Sequence, residues 1–249
     1  MQNRVFLSVS FVLVLLLQAS CGLLNNIEVP ALLGTPTPQP SPTPLGNILQ
    51  FQTGENQYEV VLAPNETVAG TQLRFLGKEG NVYTVSQDGV TGGIPSGNSF
   101  NWRGVIGPGA TGDYRLKLLQ TFSDNELRAN GTVVVTIFEP TAVERPLPQT
   151  DVTPLQFVNM PVNYLIPVGS PVPGTTLVYD GEQVGAHLFS GTSSLNRFFL
   201  DDEILWNGFL RDNIYIQNSL KLQAVNETGL QMTGTVTLYI FPSAVPPAQ

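Results

Sequence analysis

The sequence predicts an all-β chain built from two copies of one small antiparallel module. Three observations carry that expectation. Past the first twenty residues no window holds a 3.6-residue apolar period. Short runs rich in Val, Ile, Thr and aromatic residues alternate apolar with polar positions, and Gly, Pro, Asn or Asp separate them. Finally, four blocks of sequence recur in the same order at nearly one offset.

Composition bounds the alternatives. The chain has 249 residues with 24 Gly and 20 Pro, too many breakers for a helical bundle, and 42% hydrophobic residues, too apolar for a disordered chain. Eleven basic against nineteen acidic residues give a net charge of −8, which argues against a nucleic-acid partner. One Cys and one His exclude a Cys/His zinc site or a disulfide framework within one chain, and no cofactor is implied.

The N-terminus reads as an export signal over residues 1–20. Arg4 is the only charge before an apolar run from Val5 to Leu17, long enough for a signal sequence and short of a membrane span. The run ends in Leu17-Gln18-Ala19-Ser20-Cys21-Gly22, which resembles the lipobox of bacterial lipoproteins. Ala19 and Ser20 are the small residues that family requires, whereas Gln18 stands where Leu is usual, with Leu17 one place early. The resemblance implies cleavage before Cys21, a thioether-linked diacylglycerol on its sulfur, further acylation such as palmitate, and a lipid-anchored, extracytoplasmic protein at the cell surface. Two alternatives stay open: an ordinary secretory signal cleaved after Cys21, and an uncleaved anchor. Removing residues 1–20 would leave a mature charge of −9 and no thiol besides Cys21.

Residues 21–46 then form a tether. Gly34 to Pro44 holds five prolines in eleven residues, each lacking an N–H donor and biasing its predecessor toward extended geometry. The expected state is a disordered, semi-rigid polyproline-type spacer, about 30 to 35 Å long at about 3.1 Å per residue.

The first module is expected over 47–139, the second over 155–243, with a Pro-rich linker at 140–154 and a tail at 244–249. Val68-Ala69-Gly70-Thr71-Gln72-Leu73 recurs as Val172-Pro173-Gly174-Thr175-Thr176-Leu177, 104 residues later. Phe100-Asn101-Trp102-Arg103-Gly104 matches Ile204-Leu205-Trp206-Asn207-Gly208, and Leu116-Lys117-Leu118 matches Leu220-Lys221-Leu222. After one deletion, Gly131 to Phe138 matches Gly234 to Phe241. In that last block Val133, Val135 and Ile137 share a face, as do Val236, Leu238 and Ile240 in the second copy. Strands are expected near 49–53, 57–62, 72–77, 81–86, 100–106, 113–121 and 131–138. Seven short strands in such a module is the count of an immunoglobulin-like sandwich, with a small barrel as the competing architecture. The module resembles the repeats of proline-tethered surface lipoproteins of environmental bacteria, a resemblance that implies no activity.

Candidate chemistry is sparse. Trp102 and Trp206, each followed two residues later by Gly, read either as an aromatic platform for sugar rings or as core residues; the core reading is preferred. Gly107-Pro108-Gly109-Ala110-Thr111-Gly112 fits the dinucleotide fingerprint, but it joins two strands and the second copy lacks its glycines, so a hairpin is expected. His187, the sole histidine, replaces Tyr83 of the first copy and reads as an exposed or rim position rather than a catalytic base, with Ser190, Ser193 and Ser194 nearby. Asp201, Asp202 and Glu203 form the densest acidic run and are the one candidate for calcium, otherwise a solvated loop. Three glycosylation sequons, at Asn65, Asn130 and Asn226, read as coincidental in such a protein.

These readings combine into a non-enzymatic envelope lipoprotein that displays two β-sandwich modules for adhesion, binding or structural organisation. Its expected partners are the membrane, through the lipid anchor, and a polysaccharide or an envelope protein. The alternative is a carbohydrate-binding or carbohydrate-active surface protein using exposed aromatics, and a hydrolase based on His187 is a third reading.

Overall fold

In the computed structural model residues 48–147, 149–192 and 196–244 are described; the expected export signal, Cys21 and the expected tether lie outside them. The first repeat contributes β1 (Ile48–Gln52), β2 (Tyr58–Leu62), β3 (Leu73–Glu79), β4 (Val82–Gln87), β5 (Val90–Pro95), β6 (Ser99–Gly107), β7 (Ala110–Leu119) and β8 (Leu127–Phe138). A two-residue strand, β9 (Val143–Glu144), lies in the junction. The second repeat contributes β10 (Leu155–Ile166), β11 (Val178–Gln183), β12 (Ala186–Ser190), β13 (Arg197–Phe198), β14 (Glu203–Arg211), β15 (Ile214–Asn226) and β16 (Gly229–Ile240). The described residues are all-β, as the alternation predicts.

Each repeat is built on one five-stranded and one three-stranded antiparallel sheet, the fifth strand of the second repeat's larger sheet being the junction strand β9. In the first, the order is β1-β8-β7-β6 with β2 also on β8, beside β3-β4-β5. In the second, β10-β16-β15-β14-β9 stands beside β11-β12-β13. The single strand β10 does the work of β1 and β2 together, bulging between Phe157 and Met160 where the first repeat inserts residues 53–57. Hairpins join β6-β7-β8, β3-β4-β5, β14-β15-β16 and β11-β12-β13, while the first strand of each repeat lies beside its last, β1 and β2 on β8 and β10 on β16.

Period-two patterning places the core. Val133, Val135 and Ile137 are buried on β8, and Val236, Leu238 and Ile240 on β16. Tyr114, Leu116 and Leu118 are buried on β7, whereas Arg115 and Lys117 face solvent. The long strands cross their partners closely at one glycine each. A Cβ on Gly131 would stand 1.9 Å from the Arg115 carbonyl oxygen, and one on Gly234 would stand 1.9 Å from that of Ser219. Only glycine fits there, which accounts for Gly-Thr-Val opening the last block of both repeats.

The repeats, expected as tandem units, share one core within a single compact unit. Their contacts are reciprocal. Leu49-Gln50-Phe51 on β1 and Leu155-Gln156-Phe157 on β10 are the same three residues at the same place in each copy. A Cβ on Gly70 would strike the Leu155 side chain at 2.5 Å, and one on Gly174 would lie 3.1 Å from Leu49. Both glycines have positive φ, 76° and 74°, in equivalent turns, so turn geometry and close approach require the same residue. Phe157 packs against Tyr58 and Tyr114 of the first repeat, with ring centroids 5.9 and 6.3 Å away. At the hairpins, Asn213 Nδ2 donates to Pro108 O of the other repeat (3.1 Å) and to Phe241 O of its own (3.2 Å). Reciprocal contacts of one surface with its copy are the signature of a two-fold dimer, here within one chain.

Candidate functional site

Both tryptophans are in the core, 4% and 3% exposed. Trp102 lies edge-on to Tyr114 (5.5 Å between centroids), and its indole N–H donates to Asp88 Oδ1 at 3.3 Å. Trp206 donates to Thr176 Oγ1 at 3.0 Å. A Cβ on Gly104 or Gly208 would lie 2.4 Å from the respective ring. The glycines therefore make room for the indoles. Neither ring offers a face to a sugar, so the aromatic platform loses the two residues proposed for it.

His187 is buried, 2% exposed, which corrects the expected rim position. It sits on β12 with Nδ1 3.2 Å from the Tyr179 hydroxyl, and the neighbouring Phe189 stacks on the same tyrosine. Its counterpart Tyr83 is buried too, its hydroxyl donating to Leu119 O at 2.9 Å. Both side chains belong to a core position with one polar end satisfied. Ser190 Oγ donates to Asp180 Oδ1 at 3.0 Å. Ser193 and Ser194 lie outside the described residues, as does Cys21.

The three acids of the 201–203 run diverge. Asp201 pairs with Lys221 at 2.9 Å, Asp202 Oδ2 accepts the Phe199 N–H at 2.8 Å, and Glu203 accepts the Ser219 hydroxyl. Three carboxylates with three separate partners do not form one oxygen cage. Among the described residues no group of three His, Cys, Asp or Glu side chains is placed to hold a metal ion. The Gly107–Gly112 segment is the expected hairpin, with Pro108-Gly109 joining β6 to β7 and Gly109 at φ 73°.

The concave surface of the body lies elsewhere. A groove of about 560 Å³ opens where the hairpins meet the junction strand, lined by Pro108, Thr141, Arg145, Phe209 and Arg211 among others. The Arg145 guanidinium carbon stands 3.9 Å from the centre of the Phe209 ring. Arg211 Nη1 donates to Phe138 O at 2.5 Å and lies 3.9 Å from Glu139. A second depression, about 550 Å³, lies beside Asn101, Trp102, Arg103, Asp113 and Arg115. There Asp113 accepts from Arg103 and lies 3.5 Å from Arg115 Nε, and the Arg103 guanidinium foremost holds its carboxyl below the usual range. Burial pushes the phenols of Tyr114 and Tyr164 well above the ordinary tyrosine value, so both stay protonated. Guanidiniums, amides and an aromatic edge can recognise a ligand; neither depression joins a nucleophile to a base.

The Arg145–Phe209 pair escapes sequence reading because Phe209 corresponds to Val105, which is exposed, and Arg145 lies between the repeats. The signal was the mismatch itself: repeat 2 carries Phe209 to Asn213 where repeat 1 has Val105 to Gly109. Compared with protein-family models, with curated proteins and with solved structures, the chain matches none.

Proposed function

We propose that this chain is a non-enzymatic lipoprotein of the cell envelope, anchored through Cys21 and holding its β body away from the membrane on the proline tether. The observation that carries the reading is the placement of the sole cysteine. It follows Ala19-Ser20 at the end of a signal-length apolar run and precedes Pro36 to Pro44. One acyl chain binds a membrane marginally and several bind it stably, so a diacylated cysteine suffices as an anchor. The fates of His187, Trp102, Trp206 and the 201–203 acids, each engaged in packing or in its own hydrogen bond or ion pair, support a display role over catalysis.

The body then serves adhesion, binding or organisation at the surface, toward an envelope protein or a polysaccharide. The test is metabolic labelling of the full-length tagged chain with a palmitate analogue. Label in the wild type and none in Cys21→Ala is the expected result. Label that persists without Cys21 overturns the anchor.

A further inference from the structure

The two repeats differ at one sheet edge. In the second, β9 pairs with β14 at Gly208 and Phe209, and Phe209 is only 3% exposed. In the first, β6 pairs only with β7 among the described residues, and Val105, the counterpart of Phe209, is 71% exposed. A Cβ on Gly208 would strike the Val143 carbonyl oxygen, whereas the atoms nearest one on Gly104 all belong to the Trp102 ring. The polarity of the β6 edge can be read from one contact. Asn101 O accepts the side-chain amide of Gln87, which lies outside this sheet, at 3.3 Å. On an antiparallel strand the N–H and C=O of every second residue turn to the same side. The backbone groups of Arg103 and Val105 therefore point outward too, a template for one more strand.

What covers β14 is the chain leaving β8, and the chain leaving β16 is its counterpart. β8 ends with Phe138 O held by Arg211 of the second repeat, and the Thr141 N–H then donates to Leu210 O at 2.8 Å on the way into β9. β16 ends with Ile240 against Gly107 of the first repeat, where a Cβ would lie 2.6 Å from it. The two exits also repeat in sequence: Pro140-Thr141-Ala142-Val143 recurs as Pro242-Ser243-Ala244-Val245. The match sets Val245 on Val143, which stands opposite Phe209 and so presents the N–H that the edge uses. It sets Pro246 on Glu144, the next residue, whose N–H turns away, and a proline there loses no ladder bond. Ala244, the last described residue, lines the groove together with Pro108, which follows the end of β6.

We propose that the β6 edge is a strand-addition site for the C-terminal tail of this chain, with Val245 opposite Val105 and Pro246 opposite Gly104. The seated tail covers Val105 and closes a sheet edge otherwise open to pairing with a second copy. Its hold is lighter than that of β9. Arg145 stacks on Phe209 in the second repeat, whereas Val105 and Pro247 stand at those places in the first, so backbone bonds carry the seat. The inference goes beyond the envelope reading and stands whether or not Cys21 is acylated.

The test places p-benzoylphenylalanine at position 105 of the full-length chain, where the sister repeat carries Phe209, with position 184, also exposed, as control. Digestion after irradiation should yield an intramolecular adduct joining position 105 to the peptide that holds Val245, and none from 184. In hydrogen exchange, ending the chain at Ala244 should speed the Val105 amide about tenfold or more. The Arg103 amide, past the end of a two-residue strand, should exchange alike in both chains, and the core amides report that the body stays folded. Val245→Pro should lose the protection of Val105, and Pro246→Ala should keep it. An adduct to residues 35–42 overturns the proposal in favour of the tether, and one to a second copy or another protein overturns it in favour of an intermolecular strand. No adduct to the Val245 peptide, or unchanged Val105 exchange in the shortened chain, overturns it outright.

Discussion

Replacing Phe157 with alanine should unfold the first repeat as readily as the second. The ring belongs to β10 of the second repeat, is 1% exposed, and packs on Tyr58 and Tyr114 of the first. Tyr114 has little freedom to close the gap: its hydroxyl donates to Ala69 O at 3.1 Å and its ring is wedged against Trp102. A poorly collapsing cavity of phenyl size costs about 3 to 5 kcal/mol. At about 3 kcal/mol per M of urea, the slope for a larger single unit, the midpoint falls by about 1 to 1.7 M. Each repeat carries one tryptophan, so single-Trp backgrounds, Trp206→Phe and Trp102→Phe, report the two halves separately in urea titrations by fluorescence. Within each background, Phe157→Ala should move the midpoint by the same amount. If the Trp102 signal stays in place while the Trp206 signal moves, the shared core is refuted.

Further expectations follow from other contacts. Gly131→Ala and Gly234→Ala should each cost about 3 kcal/mol by forcing apart a strand crossing with no spare room, read as parallel falls in melting temperature. Asn213→Ala removes the side chain that bridges the hairpins and should cost about 1 to 3 kcal/mol, measured by the same urea titration. The Asp113 carboxyl is held low by Arg103, so its contribution is present above the unfolded carboxylate value, about 4, and disappears as pH falls through the folded one; an NMR titration should find its midpoint below that of a free Asp. The raised phenols of Tyr114 and Tyr164 have the opposite sense: their contribution holds below about pH 10 and is lost as pH rises past it, so absorbance titration should show those phenolates appearing only with alkaline unfolding.

Strands with one buried face were legible because alternation is a direct record of burial, and β7, β8 and β16 lie where it places them. Strand β5 was not: its residues are mostly exposed, so Val90 to Pro95 shows no alternation and Gly92-Gly93 reads as a turn. Strand β9 is two residues inside a Pro-rich stretch, too short to carry a period. Self-similarity announces duplication but not docking. The glycines that let the repeats meet, Gly70 and Gly174, stood in a matched block whose sequence carries no mark of the contact. His187 was misplaced for a physical reason: a position taking Tyr in one copy and His in the other looks tolerant of water, yet both are amphipathic side chains whose polar end finds a partner inside. The tryptophans were legible through the glycine two residues on, and their burial is the structural reading.

The claim that most of this rests on is that the two repeats are halves of one folding unit. Expressing residues 48–139 alone tests it, because Leu49, Phe51, Tyr58 and Tyr114 would lose the surfaces that cover them. An amide NMR spectrum recorded together with sedimentation equilibrium should show either an unfolded chain or a self-associated dimer that rebuilds the missing interface. A well-dispersed spectrum from a stable monomer would contradict it.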